Sequence, residues 1–245
     1  MTSARRRERL GLALLVAVAT VLFDRQGTLD LQISGWFFDQ GRFPADSRAL
    51  VRLAYQGLPW ALGLLSLMAL GVCSLACCRP VAVPRWLWRR GAAWLLCLLL
   101  GVGALVHAAL KDQWGRPRPV DVQAFAGGQP YVPALQPSSL CARNCSFVSG
   151  HAAGGFALMA LGLFGAPRTR RCWWWIGLWV GGVMGAVRVA QGRHFASDIV
   201  FSLAAIWLTC LLLREAWLLV LLWRRRRRLG EGGRVRLVAW GKRQR

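Results

Sequence analysis

The chain has 245 residues, 56% of them hydrophobic, and a formal net charge of +22. Its apolar residues are gathered in long runs instead of alternating with polar ones, which excludes an ordinary soluble domain and defines an integral membrane protein. A strongly basic chain can bind nucleic acid, but most of these arginines stand at the ends of apolar runs, where they fix topology and attract anionic lipid. Membrane lipids are therefore expected as partners and nucleic acid is not; no motif sets an oligomeric state.

A hydrocarbon core of roughly 30 Å takes about 20 helical residues to cross. In chain order the candidate spans are Leu10 to Phe23, Gly57 to Cys77, Gly91 to Leu110, His151 to Ala166, Trp173 to Ala190 and Ile199 to Trp223, which predicts an all-α bundle of six transmembrane helices. The first and fourth are short and need flanking residues. Arg5, Arg6, Arg7 and Arg9 ahead of the first run also fit a signal peptide, but no Ala-x-Ala cleavage site follows, so the segment reads as a retained span. Leu29, Ile33, Trp36 and Phe37 recur at helical spacing beside Asp30 and Asp39, an amphipathic stretch that either lies at the interface or packs against the bundle ends. Arg116 is either a further cationic contact or a surface charge, and the surface reading is favoured. Arg214 and Glu215 interrupt the last run, so that helix either ends near Leu213 or pairs the two side chains. The chain thus divides into residues 1–30, a basic segment and first span; 31–213, a core; and 214–245, a basic tail that lies on the membrane surface or is disordered.

Orientation follows from the arginines. One set of loops holds Arg5 to Arg9, Arg79 to Arg90, Arg168 to Arg171 and the tail from Arg224, and the positive-inside rule makes these cytoplasmic. Both termini are then cytoplasmic, while Lys111 to Gly150 and Gln191 to Asp198 face outward. Six of the eight cysteines fall in spans or at the cytoplasmic side, where buried thiols are ordinary. Cys141 and Cys145 lie in an outer loop, where a disulfide is expected; a metal pair there would need two further ligands, which the loop lacks. No metal or cofactor is expected.

Three short segments carry the chemistry. Lys111 is followed at a seven-residue step by Arg118-Pro119; then come Ser149-Gly150-His151, and Arg188 with His194 and Asp198. A phosphate ester needs fixed positive charge for its oxygens, a nucleophile in line, and a proton for the departing alkoxide. Lys111, Arg118 and Arg188 suit the first task, and Pro117 and Pro119 stiffen the backbone that presents Arg118. Ser149 and Gly150 open a helix N-terminus, where backbone N–H groups favour anions. Asp198 can accept from one ring nitrogen of His194 and leave the other nucleophilic. Gly154 and Gly155 read as close helix packing, and His107 as a packing or interfacial residue.

In this order the segments resemble the type 2 phosphatidic acid phosphatase superfamily, whose signatures are Lys-x6-Arg-Pro, Pro-Ser-Gly-His and Ser-Arg-x5-His-x3-Asp, over about Leu31 to Leu213. Val148 and Val187 depart from the usual proline and serine; neither side chain need touch phosphate. The resemblance implies a metal-independent phosphatase: His194 the nucleophile, Asp198 its orienting partner, His151 the general acid, and Lys111, Arg118, Ser149, Gly150 and Arg188 the phosphate-binding set. The loop Cys141 to His151 is similar to that of bacterial lipid A phosphatases. The expected substrate is a lipid phosphate at the periplasmic face of a bacterial inner membrane, lipid A first, with undecaprenyl diphosphate, phosphatidylglycerophosphate and phosphatidic acid as alternatives. The superfamily's vanadium haloperoxidases are soluble, a decayed lipid-binding scaffold would not need His151, His194 and Asp198, and a transporter would want broken or charged helices at mid-membrane.

Overall fold

The computed structural model describes the backbone of residues 3–25 and 28–242 and side chains within 5–23 and 28–227. Its helices are α1 (Ser3–Thr20), α2 (Thr28–Gly35), α3 (Ala49–Cys78), α4 (Arg85–Lys111, whose Cys97–Lys111 half has wider π-type turns), α5 (Gly150–Phe156), α6 (Pro167–Ala190) and α7 (Ala196–Lys242). Among the described residues no strand forms beyond two isolated bridges. This is the all-α outcome that continuous apolar runs dictate, because in lipid a helix satisfies its own backbone polar groups.

Four helices, α3, α4, α6 and α7, are long and apolar enough to cross a membrane, and up to five if α1 and α2, bent by 82° to each other, form one span. The expected fourth span, His151 to Ala166, is α5 followed by a tighter 3-10 segment, Ala157–Gly162. Its small residues let it press against α6: a β-carbon on Gly155 would come within 2.7 Å of Gly181, and one on Gly177 within 2.7 Å of Met159. The segment is apolar because it is enclosed by its neighbours, with Ala152, Ala153, Ala157 and Ala160 fully buried.

α7 is the most enclosed of the four spans and α3 the most peripheral. α3 accordingly shows Trp60, Leu64 and Leu67 outward, as a lipid-facing helix does. α7 does not end at Leu213. Arg214 and Glu215 do not pair with each other either: Arg214 meets Glu8 of α1, and Glu215 meets Arg9 at 3.2 Å. Local spacing could not show this, since both partners come from the first helix.

The long loop between α4 and α5 is tied down at both ends. Gly115 has φ +68°, and a β-carbon there would lie 1.7 Å from the Ser138 carbonyl oxygen. That carbonyl belongs to a chain that returns to donate Ser138 N–H to Trp114 O at 2.9 Å and Ser138 Oγ–H to Gly115 O at 2.6 Å. Cys141 and Cys145 are joined by a disulfide, Cα to Cα 5.7 Å. A small second core of Phe43, Val122, Phe125 and Phe195 underlies the loop, apart from the main core of the bundle.

Candidate functional site

The end of α4, the start of α5 and the end of α6 meet at one end of the bundle around a cavity of about 360 Å³. Lys111, Arg118, Gly150, His151 and Arg188 line it. Leu58 and Leu62 of α3 and Leu98 and Val102 of α4 extend the wall, so the cavity is cationic at its polar end and apolar along the helices.

Ser149, His194 and Asp198 stand behind this wall, at 0%, 1% and 0% exposure. Ser149 is the N-cap of α5, its Oγ accepting from Ala152 N–H at 3.4 Å. Asp198 occupies the first turn of α7 and reaches back to accept Phe195 N–H at 2.8 Å, the reciprocal half of a capping box. The same oxygen, Oδ2, accepts Ser146 Oγ–H at 2.5 Å.

His194 Nδ1 lies 2.7 Å from Ser146 O and 3.5 Å from Asp198 Oδ2. A backbone carbonyl only accepts, so Nδ1 must carry the proton and Nε2 the lone pair. The expected Asp198 partnership is therefore shared: the carbonyl, closer by 0.8 Å, sets the tautomer, and the carboxylate adds a longer-range anion. Burial pulls the His194 pKa down from 6.5 to about 4, with Asp198 opposing and Lys111 and Arg188 adding to the fall. His194 is then neutral at physiological pH, with the lone pair on Nε2 unprotonated. Between about 4 and 6.5 an unfolded chain takes up a proton that the folded one refuses, so acid destabilises the fold through this group across that window. Imidazole nitrogen resonances of the solubilised protein, assigned by comparison with His194→Gln, should show His194 neutral and unchanged from pH 8 to pH 5.5. A midpoint near the ordinary 6.5 would contradict this.

Arg188, 6% exposed, donates Nη1–H to Gln191 Oε1 at 2.7 Å, and Gln191 Nε2 donates in turn to Asp46 at 3.0 Å. Its Nε has no partner among the described residues, leaving a donor for a ligand in a side chain that lines the cavity. Arg118 is held by donating Nη2–H to Asn144 O at 2.6 Å; burial, then the nearby Arg193, lower its pKa.

Arg116 is not a surface charge. It is fully buried, and its five N–H donors reach Val132 O (2.9 Å), Ser197 Oγ (2.8 Å), Asp198 Oδ1 (2.6 Å), Asp30 Oδ2 (2.8 Å) and Tyr131 Oη (3.4 Å). Burial alone would lower its pKa, but the carboxylates of Asp198 and Asp30 outweigh burial and raise it. Asp30 accepts Ser197 N–H at 2.9 Å, so α2 caps α7 and does not lie on the surface through that residue. Leu29 and Ile33 pack on the core while Trp36 stays exposed. The amphipathic stretch thus resolves as packing on its inner face.

Sequence reading also missed Tyr55. Its ring stacks on His151 at 4.6 Å between centroids, and the Arg188 guanidinium lies 4.6 Å from its centre. Rarity was the available signal: the chain has two tyrosines, and Tyr55 and Tyr131 both serve this region. His107 is likewise in the cavity wall, where a β-carbon on Gly150 would meet its Nε2 at 2.8 Å.

The structure thus joins helices long and apolar enough to cross a membrane to cavity-lining cations and a buried, lone-pair-bearing imidazole at one end of the bundle. Residues 92–228 match the PAP2 superfamily, more than half of the chain, and the protein belongs to that family. It is 45% identical over 107 residues to a Lipid A 4'-phosphatase of Francisella tularensis subsp. novicida (strain U112), covering 43% of this chain and 48% of that one. The Lipid A 4'-phosphatase of Rhizobium leguminosarum is 37% identical over 122 residues, 49% and 50% of the two chains, and that of Rhizobium etli 36% over 121 residues, 49% and 46%. The chain spans about half the length of the curated relatives it matches. No solved structure matches.

Proposed function

We propose that this protein is an integral membrane phosphatase that removes a phosphate from a lipid, lipid A by preference, through a phosphohistidine on His194. The observation that carries this reading is the two-part cavity: three cations and His151 at its polar end, leucines and a valine along α3 and α4. A phosphate on a large apolar body fits both halves. The names of the relatives support lipid A among such bodies.

His194 Nε2 attacks phosphorus, forming the N–P bond as the P–O bond to the lipid breaks, and His151 protonates the departing alkoxide. Water, giving its proton to His151, then cleaves the N–P bond and releases inorganic phosphate. Lys111, Arg118 and Arg188 hold the equatorial oxygens and stabilise their charge. Ser149 and Gly150 shape the turn beside them. Because side chains supply that charge, excess chelator should leave turnover of a lipid phosphate panel unchanged. Loss of activity restored by one divalent ion would overturn the metal-independent reading. The same panel separates lipid A from undecaprenyl diphosphate and phosphatidylglycerophosphate.

The proposal includes six crossings, with α1 and the α5 segment completing the set, and a site facing the periplasm with both termini in the cytoplasm. The arginine distribution supports it. A membrane-impermeant thiol reagent should label Ala124→Cys in intact spheroplasts, and a reporter after Arg245 should report cytoplasm. Labelling only after permeabilisation would reverse the orientation.

A further inference from the structure

A second cavity, of about 460 Å³, lies between α1, α6 and α7. It is far from the phosphatase site. Arg170 and Arg188 are separated by 18 residues of one helix, Asp198 and Arg214 by 16 of another, which at 1.5 Å per residue puts the two regions about 24–27 Å apart along the helices. They therefore sit at opposite boundaries of a membrane roughly 30 Å thick.

Arg7, Arg170, Arg171 and Arg214 line this cavity against a single carboxylate, Glu8. Glu8 is shared between Arg214 and, at 3.6 Å, Arg170. Arg214 is 7% exposed, and its Nε and Nη2 have no hydrogen-bond partner among the described residues. Buried guanidinium N–H groups are ordinarily satisfied. Arg7 and Arg171 form no ion pair with a carboxylate among the described residues, so cationic donors are in excess on every side. The remaining wall is apolar, with Met159, Trp174, Trp207 and Leu211.

The geometry points to a binding site for the phosphate of an anionic phospholipid in the leaflet opposite the phosphatase site, its headgroup on Arg170 and Arg214 and the start of its acyl chains against Trp174 and Trp207. Guanidinium groups suit phosphate oxygens because their planar donors pair with them bidentately. The apolar wall favours a phosphate that carries hydrocarbon over the free ion. The inference is independent of turnover, since neither His151 nor His194 takes part.

The test is the thermal unfolding midpoint of the detergent-purified full chain with phosphatidylglycerol, phosphatidylcholine or inorganic phosphate. Phosphatidylglycerol should raise the midpoint by several degrees, and the other two should not. The rise should disappear in Arg170→Gln with Arg214→Gln, and shrink in Arg7→Gln with Arg171→Gln, which breaks no ion pair and so leaves the fold intact. It should persist in Arg188→Gln, which separates this site from the phosphatase cavity. Inorganic phosphate acting as strongly as the lipid, and failing in the same variants, would keep the anion site but make the free ion its ligand. An equal rise with phosphatidylcholine, or an undiminished rise in Arg7→Gln with Arg171→Gln, would overturn the proposal.

Discussion

His194→Gln should abolish turnover of lipid and aryl phosphates alike, whereas His151→Gln should lose far more on the lipid than on the aryl ester. The asymmetry follows from the two environments. His194 is buried, its Nδ1 proton held at 2.7 Å by Ser146 O, so its lone pair is aimed by the backbone and is needed whatever leaves. His151 lines the open cavity, stacked on Tyr55, where a proton can pass to a departing oxygen. General-acid assistance is typically worth about 10²- to 10⁴-fold, and a nitrophenolate scarcely needs it. Single-turnover rates of the two variants on the two substrates give four ratios. Equal losses throughout would show that the roles are wrongly assigned.

The cavity-lining cations were legible because Lys111, Arg118 and Arg188 are charges at the ends of apolar runs, where chance seldom keeps them. His151 and His194 stood out for the same reason. Arg116 could not be placed locally: like Arg118 it precedes a proline, and only the fold sends Arg118 to the cavity and Arg116 into the bundle. The partner that decides the matter, Asp30, is 86 residues away on a helix whose amphipathic pattern fits either an interface or a packed position. The fourth apolar stretch shows the same limit, since hydropathy reports enclosure without saying whether lipid or protein does the enclosing. Its 3-10 turns lie in close contact with α6, a helix that follows it in the chain. Tyr55 lay hidden near the start of α3 because its partners, His151 and Arg188, come from two later helices.

Arg116→Gln should be the most destabilising single substitution in the loop. Removing the guanidinium leaves the carboxylates of Asp30 and Asp198, both 0% exposed, without their shared cation, and breaking a buried pair by deleting one partner typically costs about 3–5 kcal/mol. In a chain of this length that corresponds to a fall in thermal midpoint on the order of 10 °C. Arg116→Lys should recover part of it, because one ammonium keeps the charge but cannot reach Val132, Asp30 and Asp198 from a single point. Asp30→Asn should cost less, since Asp198 still compensates Arg116, at about 1.5–3 kcal/mol for hydrogen bonds to a charged group. The double variant Arg116→Gln with Asp30→Asn should then be less damaging than the sum of the two, since the two residues share one network. Turnover separates support from structure: Asp30→Asn, still folded, should lower kcat with KM little changed, because Arg116 fixes Asp198 and Asp198 faces His194. An Arg116→Gln protein with an unchanged midpoint would return that arginine to the surface and remove the network from the account of catalysis.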